Sequence, residues 1–179
     1  ARNNYPSLNF VDGDALSGLL FPHDTFTLIT CLYFTIYYMQ DKARFFDNCM
    51  QWLMPGGCLA LHLVDRAKFD PIIPAGDPLA IISAQSYAKE RITSTQVDFD
   101  THEYKANFEL QGPDEAGLHE SFKDKNNGSV RKNEHRLYMQ SQKEILGQAK
   151  AAGFIFVAQI DLIKCEYEHQ YIYVLQKPN

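Results

Sequence analysis

The amino-acid sequence predicts an α/β fold, with a mixed β-sheet that ends in antiparallel strands and an antiparallel β insert. Three observations lead to this prediction. Two apolar runs flank a segment with helical periodicity, in the order strand, helix, strand. Residues of alternating polarity follow in the middle of the chain. A capped helix and two more strand-like runs come last.

The composition is that of one folded domain. The chain has 179 residues, of which 45% are hydrophobic and 13% aromatic, enough to form a core. Its formal net charge of −5 disfavours nonspecific binding to nucleic acid or to an anionic membrane. The sequence has no apolar run that could span a bilayer and no visible signal peptide. We therefore expect a cytoplasmic protein with neither partner.

The four cysteines predict reduced thiols rather than a metal site. No two of them have the Cys-x-x-Cys spacing of zinc ligands, so we expect no metal. Reduced thiols are typical of cytoplasmic proteins. The cysteines are Cys31, Cys49, Cys58 and Cys165.

The first third of the chain predicts a parallel strand–helix–strand crossover. The run Phe26–Phe34 is apolar, β-branched or aromatic and predicts a strand buried on both faces, as does Cys58–Val64. Asp41 is a candidate N-cap for the helix between them. Pro55–Gly57 is expected to end that helix and turn the chain back. An earlier strand is expected within Asn9–Asp14.

The middle of the chain, about residues 89–139, predicts two antiparallel hairpins. The first is expected to turn near Thr101-His102. In the second, Asn127-Gly128 favours a two-residue type I′ turn, and that turn fixes the register. The register would place complementary residues opposite each other: Leu118 and Leu137, Glu120 and His135, and Asp124 and Arg131.

Two further helices and two strands complete the prediction. Asp77 and Pro78 indicate the start of a helix over Pro78–Ala88. Ser141 and Glu144 form a capping box for the last helix, and Gly153 is its expected stop. The two strands that follow are expected to pair antiparallel at a sheet edge; they are Phe154–Ile163 and His169–Gln176.

In this order and spacing, five segments of the chain resemble the class I S-adenosylmethionine-dependent methyltransferases. The resemblance implies a partial Rossmann-like methyltransferase sheet, S-adenosylmethionine as cofactor and a small-molecule methyl acceptor. The insert is similar to the antiparallel sheet that small-molecule N-methyltransferases place over the active site. The matching segments are Phe10–Ala15, Phe21-Pro22, Phe26–Tyr33, Trp52–Gly57 and Ala151–Phe154.

The sequence also departs from this family. Thr27 stands where family members usually carry Asp, and the first strand, its Gly-x-Gly-x-Gly loop and the acid that holds the ribose are not found. By resemblance, residues 1–179 are one truncated domain that lacks the N-terminal Gly-rich part. Phe26–Phe34 would then have an unpaired apolar edge. We expect a homo-oligomer, or a displaced segment such as Asn9–Asp14, to cover that edge.

The resemblance assigns six residues to the cofactor. The Asp14 carboxylate would accept a hydrogen bond from the adenine amino group, although a simple strand-ending turn is the alternative. The end of the central strand is where open α/β sheets bind ligands. The predicted cofactor residues are Asp14, Ala15, Leu16, Cys31, Leu32 and Tyr33.

Four more residues are predicted to contact the methyl acceptor. Aromatic rings after the central strand suit a sulfonium or methylammonium group, with ordinary packing as the alternative. His62 could act as a base or be a satisfied sheet histidine, and Glu120 with His135 could face the substrate or be a cross-strand charge pair. No catalytic residue is assigned, because methyl transfer from a sulfonium mainly requires alignment in a dry pocket. The predicted substrate residues are Tyr37, His62, Glu120 and His135.

Two other functions remain open at the level of sequence. The chain could be a noncatalytic remnant or assembly module that keeps the fold without binding the cofactor. It could also be an α/β protein that binds a different nucleotide.

Overall fold

The computed structural model describes residues 2–71, 84–165 and 167–179, which form two four-stranded sheets. The first sheet is mixed and the second is antiparallel, which confirms the predicted fold class. The elements, in chain order, are β1 Phe26–Cys31, α1 Lys42–Trp52, β2 Leu53–Val64, β3 Ser94–Asp98, β4 His102–Gln111, β5 Glu115–Asp124, β6 Val130–Tyr138, α2 Gln142–Ala151, β7 Ile155–Asp161 and β8 Gln170–Gln176. The strand order is β1-β2-β8-β7 in the first sheet and β3-β4-β5-β6 in the second.

The predicted crossover is present. Strand β1 pairs parallel with β2, and α1 connects them. The Asp41 carboxylate accepts a hydrogen bond from the Arg44 backbone N–H at 3.0 Å, so Asp41 is the N-cap of α1. The helix buries one apolar face, as its periodicity predicts; the side chains concerned are Phe45, Phe46, Cys49 and Trp52.

Strand β1 is an edge strand, as the resemblance implies: among the described residues it pairs only with β2. It is not buried on both faces as predicted, since Thr27, Leu28 and Thr30 are exposed, Leu28 by 55%. The strand also ends at Cys31 rather than Phe34. Residues Asn9–Asp14 form no strand and are mostly exposed, which corrects a second prediction. A strand at that position would need a paired neighbour for its backbone groups, and the described residues provide none.

Strand β2 begins directly after α1, earlier than the predicted start at Cys58. Pro55–Gly57 lies inside the strand as an irregularity, because Leu53 pairs with Phe26 whereas Cys58 pairs with Leu28. Gly56 has a φ of 74°, which favours glycine. The Pro-Gly-Gly segment therefore adjusts the register of a strand instead of forming a separate turn.

The second hairpin has a different register from the predicted one. Glu120 pairs with Asn133 rather than His135, and Phe122 pairs with Arg131. The cause is the Asp124 carboxylate, which accepts hydrogen bonds from the Asn126 and Asn127 N–H groups at 2.7 and 3.2 Å. This side-chain turn extends the loop over residues 125–128, so the expected two-residue turn at Asn127-Gly128 is wrong.

The remaining elements follow the sequence more closely. Val97 pairs with Tyr104 in the first hairpin, near the predicted turn. Ser141 and Glu144 form the capping box of α2, and β7 pairs antiparallel with β8 at the sheet edge. Most of the predicted Pro78–Ala88 helix lies outside the described residues. Within the described ranges, no helix has both the length and the apolar character needed to cross a membrane.

Two arginines connect the sheets at one end. The guanidinium of Arg66, just after β2, donates to the main-chain carbonyls of Gly112, Pro113 and Glu115 in the turn between β4 and β5. The guanidinium of Arg91, before β3, donates to the carbonyls of Arg66 and Phe69 at 2.9 and 2.7 Å. It also lies over the rings of Phe69 and Phe108, at 4.9 and 5.3 Å from their centroids.

A lysine of α1 also forms a hydrogen bond to the second sheet, at the end of β6. The Lys42 ammonium donates to the Met39 carbonyl at 2.8 Å and to the Tyr138 carbonyl, at the end of β6, at 2.6 Å. The two sheets are thus connected by cationic side chains that bind main-chain carbonyl groups.

Two glycines, one inside α2 and one just after it, provide a matched test of where this helix ends. Gly147 lies inside the helix, and a Cβ there would meet no atom within 4 Å. We expect Gly147→Ala to raise the free energy of unfolding by roughly 0.5–1 kcal/mol. Gly153 has a φ of 103°. We expect Gly153→Ala to lower the free energy of unfolding by at least about 1 kcal/mol. Urea denaturation measures both, and equal effects would contradict the assigned end of α2.

Candidate functional site

The end of β1 presents an aromatic ring beside a buried thiol. Tyr33 has a left-handed backbone conformation, with a φ of 59°, and its side chain is 48% exposed. Its ring centroid lies 6.4 Å from that of His62. Burial raises the pKa of the Cys31 thiol to about 12, so this group is an apolar wall rather than a nucleophile.

The segment that begins at Asp14 is attached to α1. One Asp14 carboxylate oxygen accepts a hydrogen bond from the Leu16 N–H at 2.9 Å. The Ala15 carbonyl accepts from the Asn48 amide at 2.9 Å, and the Leu16 carbonyl accepts from the Arg44 guanidinium at 2.7 Å. Residues 14–16 therefore have a defined position against the helix.

An apolar groove of about 310 Å³ lies between this segment and β1. Three of the six predicted cofactor residues line it, namely Ala15, Cys31 and Leu32. Phe21 and Trp52 contribute aromatic walls. The other three predicted residues, Asp14, Leu16 and Tyr33, are adjacent to these in sequence but are not part of the lining.

Tyr37 is fully buried, so its side chain presents no surface to a ligand. Its hydroxyl accepts a hydrogen bond from the Val64 N–H at 2.9 Å, and burial raises its pKa. This tyrosine therefore holds the segment after β1 against the end of β2.

His62 is a buried histidine with one unsatisfied nitrogen. It is 5% exposed, in the part of β2 that pairs with β8, and its ring is hydrogen-bonded to the Gln170 side chain. Burial lowers its pKa, which favours the neutral ring, although the bond to Gln170 opposes the shift. Nε2 has no hydrogen-bond partner among the described residues. Buried polar atoms are nearly always paired, so this nitrogen is an exception, but the protein encloses it and leaves it no surface for a ligand.

Glu120 is the centre of a hydrogen-bonded network on the inner face of the second sheet. Its carboxylate accepts from the Tyr104 hydroxyl at 2.7 Å and from the Asn133 amide at 3.3 Å. It also lies 3.2 Å from Nε2 of His135. Nδ1 of His135 is 2.9 Å from the hydroxyl of Tyr38, which belongs to the segment after β1. The network therefore crosses from one sheet to the other.

The network favours a charged Glu120. Partial burial alone would raise the pKa of this carboxyl, but hydrogen bonds from Tyr104, Asn133 and His135 outweigh burial and hold it below the ordinary value. Burial, and then the charge of Glu120, raise the pKa of the Tyr38 hydroxyl. An anion and several exposed or half-buried rings thus lie close together.

Glu120 and His135 are neighbours as predicted, although the predicted hairpin register is wrong. They are diagonal neighbours on adjacent strands instead of directly opposite residues, and long side chains bridge that distance. Tyr104 and Asn133 were not among the predicted site residues. Recognising the side-chain turn at Asp124 would have placed Asn133 opposite Glu120.

A larger groove, of about 550 Å³, lies along the second sheet, and Glu120 and Asn133 of the network are among its lining residues. Its lining also includes Lys105 and Asn107, which alternate along β4 with the inward-facing Tyr104. The lining contains no residue of the mixed sheet. We therefore take the side of the Glu120 network that contacts Tyr38, and not the rest of this groove, as the candidate acceptor site.

Comparisons with known proteins give one family and several similar folds. A family described as a methyltransferase domain matches residues 1–61. No curated protein matches the chain. An S-adenosylmethionine-dependent methyltransferase from Clostridium acetobutylicum ATCC 824 has a TM-score of 0.73 at 16% identity, covering 99% of this chain and 70% of that chain.

Two further solved structures are similar over nearly the whole chain. Streptomyces venezuelae DesVI has a TM-score of 0.64 at 15% identity, covering 99% of this chain and 68% of its own length. CalS10, an amino pentose methyltransferase from Micromonospora echinaspora, has a TM-score of 0.61 at 17% identity, covering 98% of this chain and 67% of its own length. Likeness at these identities shows a shared fold.

Replacing Glu120 with glutamine tests the charge at the centre of the network. Because the folded-state pKa of Glu120 is lowered, its ionisation stabilises the fold above the ordinary value of 4.5, and this stabilisation is lost as the pH falls through the lowered pKa. We expect the stability advantage of the wild type over Glu120→Gln to shrink between pH 7 and acid pH. Denaturation midpoints at several pH values measure this advantage.

The control for this comparison is Glu134→Gln, which alters an exposed carboxyl on β6 outside the network. We expect its difference from the wild type to change much less with pH. An advantage over Glu120→Gln that stays constant down to acid pH would contradict the assigned network.

Proposed function

We propose that this chain methylates a nitrogen of a small polar molecule. The premise is that it has the fold of the class I S-adenosylmethionine-dependent methyltransferases and that its residues 1–61 match a methyltransferase domain family. The observation that carries the proposal is the Glu120 network, which places a carboxylate opposite the aromatic end of β1. An anion with neighbouring rings suits an amine, which is cationic before it reacts. CalS10, an amino pentose methyltransferase, has a similar fold.

The apolar groove beside Asp14 is the proposed site for the adenine part of S-adenosylmethionine. Its walls suit a flat ring, and the groove lies along β1, the parallel strand that ends at Cys31. The Asp14 carboxylate would accept a hydrogen bond from the adenine amino group, with Ala15 and Leu16 beside it. Leu32 and Tyr33 would lie towards the methyl donor. When bound, S-adenosylmethionine supplies an already activated methyl group, so the chain's own residues mainly position the acceptor.

The acceptor would lie between Tyr33, Tyr38 and Glu120. The carboxylate attracts an ammonium group, and the Glu120–His135 pair could take its proton before methyl transfer. His62, kept neutral by burial, would act indirectly by supporting Tyr33, since the two ring centroids are 6.4 Å apart. Tyr37 would act indirectly, by holding the segment that carries Tyr38.

The noncatalytic alternative is not favoured. An assembly module without a ligand would have no need for a carboxylate held charged between the sheets. The methyltransferase domain family that matches residues 1–61 also argues against a different nucleotide as ligand.

The role of Asp14 is tested by calorimetric titration with S-adenosylmethionine and with S-adenosylhomocysteine. We expect the wild type to bind and Asp14→Asn to bind about tenfold more weakly, because an amide is a poorer acceptor than a carboxylate. Asp12→Asn, which alters an exposed carboxylate two residues away, should bind like the wild type. The titration is repeated on the chain extended by any further residues that its gene encodes. Absence of binding in both forms would sink the proposal.

We also infer that two copies of the chain associate in the cytoplasm through the outer edge of β1. Within the described residues this edge has no paired strand, and Leu28 is exposed beside it. An unpaired apolar edge favours pairing with another strand. Each copy would be one domain over residues 1–179, with the insert at about 89–139.

Charge at the edge of β1 is expected to weaken this association. Leu28→Lys should shift the protein towards monomer in light-scattering measurements over a concentration series, because a charged edge resists strand pairing. The series is measured without cofactor, since Leu28 also lines the apolar groove. Leu110→Lys is the control, since Leu110 is 44% exposed on a strand with neighbours on both sides. A wild type that is monomeric at all concentrations would refute the inference.

A further inference from the structure

Lys42 is a buried lysine with no hydrogen-bonded carboxylate among the described residues. It is the first residue of α1 and is 1% exposed. Lysine is almost never fully buried unless its ammonium group is satisfied. Here the Met39 and Tyr138 carbonyls accept two of its N–H groups, at 2.8 and 2.6 Å.

Each of these carbonyls is close in sequence to a residue of the Glu120 network. Met39 directly follows Tyr38, and Tyr138 ends the strand that carries His135. The hydroxyl of Tyr38 is 2.9 Å from Nδ1 of His135, and their rings are T-shaped with centroids 5.8 Å apart. The ammonium of Lys42 therefore spans the same two segments as the Tyr38–His135 contact.

We propose that Lys42 is a positioning residue that keeps Tyr38 in contact with His135. Without it, the segment after β1 and strand β6 lose a main-chain bridge where the Glu120 network passes from one sheet to the other. The bond between His135 and Glu120 lies within the second sheet and does not depend on Lys42.

The charge of Lys42 agrees with this role. Burial lowers its pKa to about 8, and the attraction of Asp114 partly opposes that shift. At neutral pH the group is mostly an ammonium with three N–H donors, two of which reach the carbonyls. Without the Lys42 ammonium, the Met39 and Tyr138 carbonyls lose their hydrogen-bond donor. The segment after β1 and the end of β6 would have to move for these carbonyls to find new partners.

The contact is measured directly by ¹⁵N NMR of the His135 ring at fixed pH. With Nε2–H bonded to Glu120, the Nδ1 lone pair accepts from the Tyr38 hydroxyl, a tautomer assigned from the network. We expect Tyr38→Phe to move the Nδ1 resonance towards that of an unbonded nitrogen. Lys42→Met should produce the same displacement, and the double variant should show no addition.

The matched control is Lys143→Met, at an exposed lysine in the first turn of α2, which should leave the Nδ1 resonance unchanged. If Lys42→Met does not fold, Lys42→Gln is measured instead, because its shorter amide cannot span both carbonyls. The proposal is overturned if Lys42→Met lowers stability but leaves Nδ1 as in the wild type, or if the two displacements add. The experiment needs neither cofactor nor acceptor, so its failure and that of the proposed function are separate results.

Discussion

Cationic side chains bonded to main-chain carbonyls connect the second sheet to the first, and the candidate site depends on them. Arg66 donates hydrogen bonds to the turn between β4 and β5. Arg91 connects the segment before β3 to the segment after β2. Lys42, at the start of α1, connects that helix to the end of β6. A carbonyl has a position fixed by the backbone, whereas a carboxylate can follow its own side chain. Leaving one such buried group unpaired costs about 1–3 kcal/mol. The relative position of the sheets is therefore set by the backbone itself.

The two halves of the proposed chemistry come from different sheets. The groove for a flat apolar ring is built by β1, α1 and the Asp14 segment, all in the first third of the chain. The carboxylate and imidazole for an amine come from β5 and β6. Tyr38 joins the two parts, because it follows the first strand and bonds to His135 of the insert. Methyl transfer depends on the alignment of donor and acceptor. The relative position of the two sheets would therefore affect the rate of the proposed reaction more than any single reactive group does.

Local features of the fold were predictable from the sequence because they depend on neighbouring residues. Asp41 and Ser141 cap their helices through bonds that span three residues, and such bonds leave a clear sequence pattern. The hairpin register was wrong because the Asp124 side chain competes with the turn that Asn127-Gly128 would favour. The exposure of β1 and the burial of Tyr37 depend on distant strands, which periodicity does not reveal. The bonds of Arg66 and Lys42 to carbonyls leave no sequence pattern at all.

The left-handed backbone conformation of Tyr33 lowers the stability of the fold, whereas its aromatic ring serves the proposed ligand site. A left-handed conformation costs a non-glycine residue about 1–2 kcal/mol, and glycine or asparagine would relieve most of that cost. Neither would supply an aromatic ring at the end of β1. Selection for a more stable protein would thus remove tyrosine from this position, whereas selection for ligand binding would keep it. The residue found at this position in related chains would reveal which of the two pressures has been the stronger.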